Sequence, residues 1–177
     1  ESRFLPCSFG FRPGRGVHHA VRAARSLLNQ GFDWLVDADI RQCFDQIPRR
    51  RLLDAVGGWL DDAQAPGLVC ACLGWQESDL TPGARGIPQG ACLSPWLCNV
   101  YLHAFDQASC AAEVPLVRYA DDFLLFAEAR TAASVWMRRG ARWLADLGLQ
   151  LHPLKSRVTR AFQSVRFLGH DLGVQSC

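Results

Sequence analysis

Three aspartates in two short segments are the residues of this sequence best suited to chemistry. Asp39 ends a stretch in which apolar and acidic residues alternate, and Asp121 and Asp122 stand side by side between two apolar runs. Adjacent carboxylates repel each other, and burying them without a partner is costly. A divalent cation offsets that cost, and ligands that are all oxygen favour a hard ion such as Mg²⁺. Taken alone, an Asp-Asp pair is more typical of a turn, because aspartate is a common turn former.

The segments around these aspartates predict the strands that would hold them. Residues 32–40 alternate in polarity, which predicts a strand with Asp39 on its acidic face. Residues 115–128 contain two apolar runs joined at positions 120–122, which predicts a β-hairpin with carboxylates at its tip. Carboxylates brought together from these strands would complete a site for two metal ions about 3.5–4 Å apart.

The remaining elements follow from the spacing of apolar residues. Helical spacing predicts helices over residues 17–28, from Pro48 to residue 60, and over 68–73, 94–110 and 131–147. Short strands are predicted near residues 149–152, 157–162 and 165–172. This order of elements predicts an α+β fold, in which an antiparallel sheet carries helices on one face.

The composition is that of an ordinary soluble domain. The chain has 177 residues, of which 49% are hydrophobic and 20% charged, and this excludes a disordered tail, a collagen-like fibre and a small disulfide scaffold. No apolar run reaches the roughly 18 residues of a membrane span and no leader is present, so we expect a cytoplasmic protein without membrane contact. The eight cysteines lack the paired spacing of a zinc site and are predicted to be reduced core residues.

The charge is unevenly distributed along the chain, although its net value is only +2. Residues 1–60 and 130–177 carry net charges of +3 and +6, whereas residues 61–129 carry −7. Basic flanks around an acidic middle favour a protein that binds a polyanion at its edges and cations at its centre. Chance variation among solvated faces would give the same pattern. The charge distribution alone therefore does not decide between polyanion binding and chance.

Several blocks of the sequence resemble motifs of one enzyme family, in the family's order and with its spacing. The Tyr-Ala-Asp-Asp segment at residues 119–122 resembles the YxDD box of reverse transcriptases. Residues 39–45 resemble the family's first catalytic motif, an aspartate followed after four residues by an aromatic. The GIPQG segment at residues 86–90, with the LSP, NVYL and FD segments after it, resembles a third block. The SFGFRPGR segment at residues 8–15 resembles a box of the bacterial group II intron type.

Two shorter matches lie nearer the end of the chain. Lys155 stands where the family has a lysine after a short strand, and Phe-Leu-Gly at residues 167–169 resembles the family's closing FLG. Among relatives, the group II intron class and the CRISPR-associated enzymes related to it look most similar.

The resemblance implies a polymerase palm with a ferredoxin-like βαββαβ core. Residues 17–47 and 94–162 would form the palm, residues 1–16 and 48–93 part of the fingers, and residues 163–177 a primer-grip hairpin. The family carries further finger strands upstream of the SFGFRP box and a helical thumb after FLG. We therefore expect this chain to be a piece of a larger protein.

The resemblance also implies how the aspartates would act. Asp39 and Asp121 would bind two Mg²⁺ ions, for which Mn²⁺ could substitute, with help from the carbonyl of Ile40. Asp122 would lie nearby and is assigned to the same catalytic and metal-binding group. Lys155 would act as the general acid that protonates the departing pyrophosphate.

A second group of residues would bind the incoming nucleotide. Backbone amides in the turn after Asp39 would receive the triphosphate, because turn N–H groups suit anions. Phe44 would lie under the sugar and leave no room for a 2′-hydroxyl, so deoxynucleotides would be preferred. Gly90 would allow close approach of the backbone. The residues assigned to the nucleotide are Arg41, Gln42, Cys43, Phe44, Gln89 and Gly90.

A third group would contact the nucleic acid. Two arginines of the SFGFRPGR segment would bind template phosphates, and the FLG segment would begin the primer grip. The residues assigned to template or primer are Arg12, Arg15, Ser94, Pro95, Tyr119, Phe167, Leu168 and Gly169.

The function implied is RNA-directed DNA polymerisation, with an RNA template, a DNA primer and deoxynucleoside triphosphates as partners. Further fingers, a thumb and a fused or partner domain, such as a maturase or a CRISPR integrase, would complete the protein. An RNA-dependent RNA polymerase on the same palm is an alternative, against which Phe44 argues. A non-polymerising maturase or RNA-binding scaffold is another. A nucleotide cyclase of similar topology would not explain the PQG, LSP and FLG blocks.

Overall fold

A four-stranded antiparallel sheet forms the centre of the protein. The structure is a computed structural model that describes residues 2–161 and 165–173. The strands are β1 (Trp34–Asp39), β2 (Leu116–Tyr119), β3 (Asp122–Ala127) and β4 (Arg157–Arg160), in the spatial order β2-β3-β1-β4. This order, with helical crossovers between β1 and β2 and between β3 and β4, is that of the ferredoxin-like βαββαβ fold. The predicted fold class is confirmed.

The register of the sheet brings the two acidic segments together. β2 and β3 form the predicted hairpin, and β3 also pairs with β1 along its whole length, from Trp34 opposite Ala127 to Asp39 opposite Asp122. β4 pairs with the other edge of β1. The end of β1 and the hairpin turn therefore lie at the same edge of the sheet.

Helices cover one face of the sheet, as predicted. They are α5 (Ser94–Ala111) and α6 (Arg130–Asp146), while α3 (Arg49–Leu60) packs on α5 and α4 (Ala65–Leu73) packs on α3. Pro95 occupies the first turn of α5, where a missing N–H costs little. Alternate residues of the strands, among them Val36, Ala38 and Leu125, are buried against these helices.

The opposite face of the sheet is also covered, which the sequence pattern did not indicate. Leu35, Leu124 and Phe126 pack there against the apolar stripe of α1 (Val17–Asn29). A short hairpin of β5 (Arg166–Phe167) and β6 (His170–Asp171) adds to the same cluster. Segments at both ends of the chain therefore complete this second core.

Some predicted elements differ in detail from the structure. Residues 149–152 are not a strand but make one isolated bridge, between Ile40 and Leu151, because the pairing does not continue on either side. A short helix α2 (Cys43–Gln46) and a 3₁₀ turn (Glu77–Leu80) were not predicted. The division into fingers, palm and primer grip stays a prediction, and its residues 162–164 and 174–177 lie outside the described part of the chain.

The cysteines only partly follow the prediction. Those of the described residues are all free thiols, as expected. Cys43 and Cys98 are buried with their sulfurs 3.8 Å apart. The prediction of a core position is wrong for Cys72, Cys92 and Cys110, which are exposed because they lie on outward faces of helices or in a loop. None of the helices formed by residues 2–161 and 165–173 is long and apolar enough to cross a membrane.

Candidate active site

The three predicted aspartates meet at the turn between β2 and β3. Tyr119 pairs with Asp122, so that Ala120 and Asp121 form a two-residue loop, in which Ala120 adopts a left-handed conformation with φ 57°. The amide of Ile40 donates to the carbonyl of Asp121 at 3.2 Å. The loop is thus tied to β1 directly beside Asp39.

Partial burial, together with the clustering of these carboxylates, raises the pKa of two of them. Partial burial is the main cause of the raised pKa of Asp121, and the nearby charge of Asp39 adds to it. Burial, followed by the charges of Asp39 and Asp121, raises the pKa of Asp122 to about 6. Unfavourable negative charge is therefore concentrated at this edge of the sheet, and a cation would relieve it.

Lys155 supplies one positive charge to this cluster. Its ammonium donates to Oδ2 of Asp39 at 2.9 Å, and that hydrogen bond is the main cause of its raised pKa. The Lys155 side chain is 60% exposed, whereas that of Asp39 is 15% exposed. The amide of His152 donates to the carbonyl of Asp39 at 2.8 Å and so holds the loop that carries Lys155 beside β1.

The donor set suits a hard divalent ion, although no preformed cage surrounds it. Within residues 2–161 and 165–173, no group of three or more His, Cys, Asp or Glu side chains is arranged to hold a metal ion. Mg²⁺ is usually bound through one or two carboxylates, and water and substrate phosphates complete its shell. Asp39 and Asp121, with oxygen ligands only, fit that mode of binding.

A cavity of about 530 Å³ opens beside Asp121. Phe44 forms part of its wall, and the ring of Phe11 meets it edge to face, with centroids 6.4 Å apart. Five of the six residues predicted to bind a nucleotide line this cavity, together with two of those assigned to template or primer. These seven are Gln42, Cys43, Phe44, Gln89, Gly90, Ser94 and Pro95.

The turn after Asp39 shapes one side of this cavity. Gln42 has a left-handed backbone conformation, with φ 46°, and α2 begins at the next residue, Cys43. Gln42 also lines a second, polar cavity of about 300 Å³, and Arg41 lies in that one rather than in the first. Arg41 is thus the predicted nucleotide-binding residue that does not line the cavity beside Asp121.

The loop of the GIPQG block forms another side. The Ser94 hydroxyl donates to the carbonyl of Pro88 at 2.5 Å, which ties this loop to the start of α5. The Gln89 amide donates to Oδ1 of Asp45 at 3.2 Å and joins the loop to α2. Both side chains therefore help to hold the cavity in shape.

Arg118 is a residue of this site that the sequence reasoning missed. Its guanidinium is fully buried and forms two hydrogen bonds with the carboxylate of Asp106, at 2.7 and 2.6 Å. It also donates to Asn99 Oδ1, to Ser8 Oγ and to the carbonyl of Ala120, at 2.9–3.0 Å. Burial disfavours its charge, but Asp106 outweighs that effect and raises the pKa of Arg118. Arg118 therefore joins two sequence blocks, through Ser8 in one and through Asn99 and Asp106 in the other, to the turn at Ala120.

Gly10 supports the same turn from the other side. Its carbonyl accepts from the Asn99 amide at 2.7 Å. A Cβ atom at Gly10 would lie 2.5 Å from the backbone nitrogen of Ala120. Only glycine fits between this segment and the turn. The SFGFRP block thus includes a packing role that its charged residues do not reveal.

The two arginines predicted to bind template phosphates have different positions. Arg12 is buried and donates to the carbonyls of Leu5 and Ser8, both at 2.8 Å, so its guanidinium holds the N-terminal loop together. Its template contact stays a prediction. Arg15 is partly exposed and donates to the carbonyl of Pro6 at 2.7 Å, and its template contact stays a prediction.

The FLG segment, which is predicted to begin the primer grip, includes the turn of the β5–β6 hairpin. Leu168 and Gly169 form this turn with positive φ angles, and Gly169 is exposed. Phe167 is buried in the second core, so its side chain anchors the hairpin, and its primer contact stays a prediction. Tyr119 is half-buried at the end of β2, opposite Asp122.

Comparisons with known proteins agree with this geometry. The family model described as "Reverse transcriptase (RNA-dependent DNA polymerase)" matches residues 2–172. Protein YkfC of Escherichia coli (strain K12) is 28% identical over 214 residues, which cover 97% of this chain and 56% of YkfC. The group II intron-encoded protein LtrA of Lactococcus lactis subsp. cremoris is 25% identical over 243 residues, which cover 99% of this chain and 40% of LtrA. The chain thus spans less than two thirds of either relative.

Solved structures of telomerase share the fold. Telomerase from Candida tropicalis, in complex with a TWJ fragment of telomeric RNA, superposes with a TM-score of 0.68 at 14% identity, over 93% of this chain and 32% of that one. The corresponding complex from Candida albicans gives a TM-score of 0.66 at 16% identity, over 93% of this chain and 33% of that one. Since the family model covers nearly the whole sequence and the palm fold agrees with it, this chain belongs to the reverse transcriptase (RNA-dependent DNA polymerase) family.

Proposed function

We propose that the protein is an RNA-directed DNA polymerase whose active site is the edge of the sheet at Asp39, Asp121 and Asp122. In the reaction, the 3′-hydroxyl of a primer attacks the α-phosphorus of a deoxynucleoside triphosphate. A new phosphodiester bond forms, the bond to the β-phosphate breaks, and pyrophosphate leaves. The observation that carries the proposal is the cavity beside Asp121, which five of the predicted nucleotide-binding residues line.

The metal site is part of this proposal. Two Mg²⁺ ions, or Mn²⁺ in their place, would be held by Asp39 and Asp121, with Asp122 and the carbonyl of Ile40 close by. When bound, such ions activate the attacking hydroxyl and stabilise charge on the leaving oxygen. The raised pKa values of Asp121 and Asp122 support a cation here, because added positive charge would favour both ionised carboxylates.

Lys155 has a role that depends on the charge of Asp39. In the structure its ammonium neutralises Asp39, and Lys155 does not line the nucleotide cavity. A cation bound by Asp39 would compete with this ion pair and release the lysine toward the triphosphate. We propose that the released Lys155 donates a proton to the departing pyrophosphate.

Phe44 would select the sugar. It lines the cavity near Asp121, and Phe11 packs against the edge of its ring. A rigid aromatic side chain at this position leaves little room for a 2′-hydroxyl. Deoxynucleotides would therefore be preferred over ribonucleotides, as RNA-directed DNA synthesis requires.

The natural partners proposed for the protein are an RNA template and a DNA primer. The relatives are longer than this chain, and one of them is an intron-encoded protein. We therefore propose that further finger, thumb and fused or partner domains, of the maturase or CRISPR-integrase kind, act with this palm.

Primer extension on an RNA template with Mg²⁺ tests the proposal in the full-length protein. Extension is expected with deoxynucleotides and should fall to background in Asp121→Asn. The matched control is Asp54→Asn, which removes a carboxylate from the exposed face of α3 and should extend normally. Phe44→Ala should raise incorporation of ribonucleotides relative to deoxynucleotides.

Two results would contradict the proposal. Tight RNA binding without any extension would favour a non-polymerising maturase or scaffold. Equal extension by Asp121→Asn and the unmodified protein would show that the aspartate cluster is not the active site. An unchanged sugar preference in Phe44→Ala would refute the role of Phe44 alone.

A further inference from the structure

A basic cavity lies between α1 and the β5–β6 hairpin, on the sheet face opposite α5 and α6. Its volume is about 540 Å³. Two imidazoles and two guanidinium groups contribute to its wall, and no carboxylate does among the residues that line it. The lining residues are His18, Val21, Arg22, Arg25, Ser26, Asn29 and His170.

Contacts between the helix and the hairpin hold this cavity together. The rings of His18 and His170 meet at an angle of 67°, with centroids 5.4 Å apart. Arg25 donates to the backbone carbonyl of Asp171 at 2.8 Å. Contacts between the two elements therefore fix the positions of His18, His170 and Arg25.

Arg22 is the cation that remains available. Within residues 2–161 and 165–173, its guanidinium has no hydrogen-bond or ion-pair partner. Asp171 is the acid in the described part of the hairpin, residues 165–173, and it stands opposite Arg166 in the β5–β6 pair. Its carboxylate accepts from the amide of Gly173 at 2.8 Å. The positive charge of the cavity is thus not cancelled by its surroundings.

We propose that this cavity binds a backbone phosphate of the primer–template duplex, with Arg22 as its main cationic ligand. The inference rests on the proposed function, since the duplex is the substrate of that reaction. Guanidinium and imidazole N–H groups suit phosphate oxygens, and such contacts position a nucleic acid without reading its sequence. His170 connects this cavity with the segment predicted to contact a primer, because it directly follows the turn at residues 168–169.

Fluorescence anisotropy with a labelled RNA–DNA duplex, in the absence of nucleotides, tests the proposal on the full-length protein. One phosphate contact at 0.1 M salt corresponds to about an eightfold change in affinity. Arg22→Ala should therefore weaken binding about eightfold and make the slope of log affinity against log salt less negative by about 1. Arg22→Lys should retain most of the affinity.

The control variant is Arg142→Ala, which removes an exposed arginine from α6 on the other side of the sheet. Equal losses in Arg22→Ala and Arg142→Ala would reflect net charge alone and would overturn the proposal, as would unchanged binding in Arg22→Ala. Millimolar inorganic phosphate is a second control. If it abolishes the difference in duplex affinity between Arg22→Ala and the unmodified protein, the cavity binds a free anion, and this result would also overturn the proposal. Because no extension is measured, a protein that binds as expected but does not polymerise would refute the proposed function and leave this inference intact.

Discussion

Replacing Asp106 with asparagine should lower the free energy of unfolding by about 3–5 kcal/mol, because it leaves the buried charge of Arg118 without its counter-ion. Arg118 is 0% exposed, and two of its five hydrogen bonds go to Asp106. Asparagine can still accept one of them, but its amide would place a donor against the guanidinium. Since a domain is typically stable by about 5–15 kcal/mol, this loss would be a large fraction of the total.

Denaturation by urea, followed by circular dichroism, measures this effect. The Asp54→Asn control, on the exposed face of α3, should stay within about 0.5 kcal/mol of the unmodified protein. Primer extension per folded molecule should also fall in Asp106→Asn, because Arg118 holds the carbonyl of Ala120 beside Asp121.

A double variant separates charge from hydrogen bonding. Asp106→Leu combined with Arg118→Met removes both charges, and replacing a buried ion pair with apolar residues is often close to neutral. Here the double variant also leaves the Ala120 carbonyl, Asn99 Oδ1 and Ser8 Oγ without their donor. Each unsatisfied group costs about 1–3 kcal/mol of stability. A loss below about 1 kcal/mol in Asp106→Asn would refute the reasoning, because it would mean that the guanidinium is not desolvated in the folded protein.

Two further predictions concern Gly10 and His103. Gly10→Ala should destabilise the protein by about 1–3 kcal/mol, because the new methyl group would overlap the backbone of Ala120. The control Gly58→Ala, in α3, places its methyl group in open space and should be neutral or stabilising. Equal changes in the free energy of unfolding, measured by urea titration, would contradict this. Burial lowers the pKa of His103. As the pH falls below about 6.5, the imidazole of the unfolded chain is therefore protonated before that of the folded protein, and the free energy of unfolding should decrease. His103→Gln should lose less stability between pH 7.5 and pH 5.5, and an identical loss would refute the assignment.

Much of the sheet edge that carries Asp39, Asp121 and Asp122 could be predicted from the sequence, because the patterns that specify it are local. The alternation before Asp39 and the two apolar runs around Asp121 specify strands and a hairpin, since the side-chain period of a strand is two residues. Tyr119 to Asp122 forms the expected tight turn. The helices that begin at Pro48 and Ser94 follow from apolar spacing and from proline at a helix start.

Some contacts could not be read from any local pattern. Arg118 stands in an apolar strand and gives no signal of its own, yet it joins Ser8, Asn99 and Asp106 to the turn at Ala120. A buried ion pair depends on which distant residues the fold brings together, and sequence spacing does not contain that information.

The sequence by itself determined the family motifs, the strands that carry the aspartates and the order of elements in the palm, because each depends on residues close together in the chain. Tertiary structure alone decided which side chains are buried in the protein and which are exposed to solvent. It buried Arg12 against loop carbonyls, anchored Phe167 in the second core, and left Arg22 open to solvent beside the terminal hairpin. Burial and hydrogen-bond partners are set by packing between distant segments of the chain. Two arginines, Arg12 and Arg22, therefore differ, since the first is buried and the second is exposed.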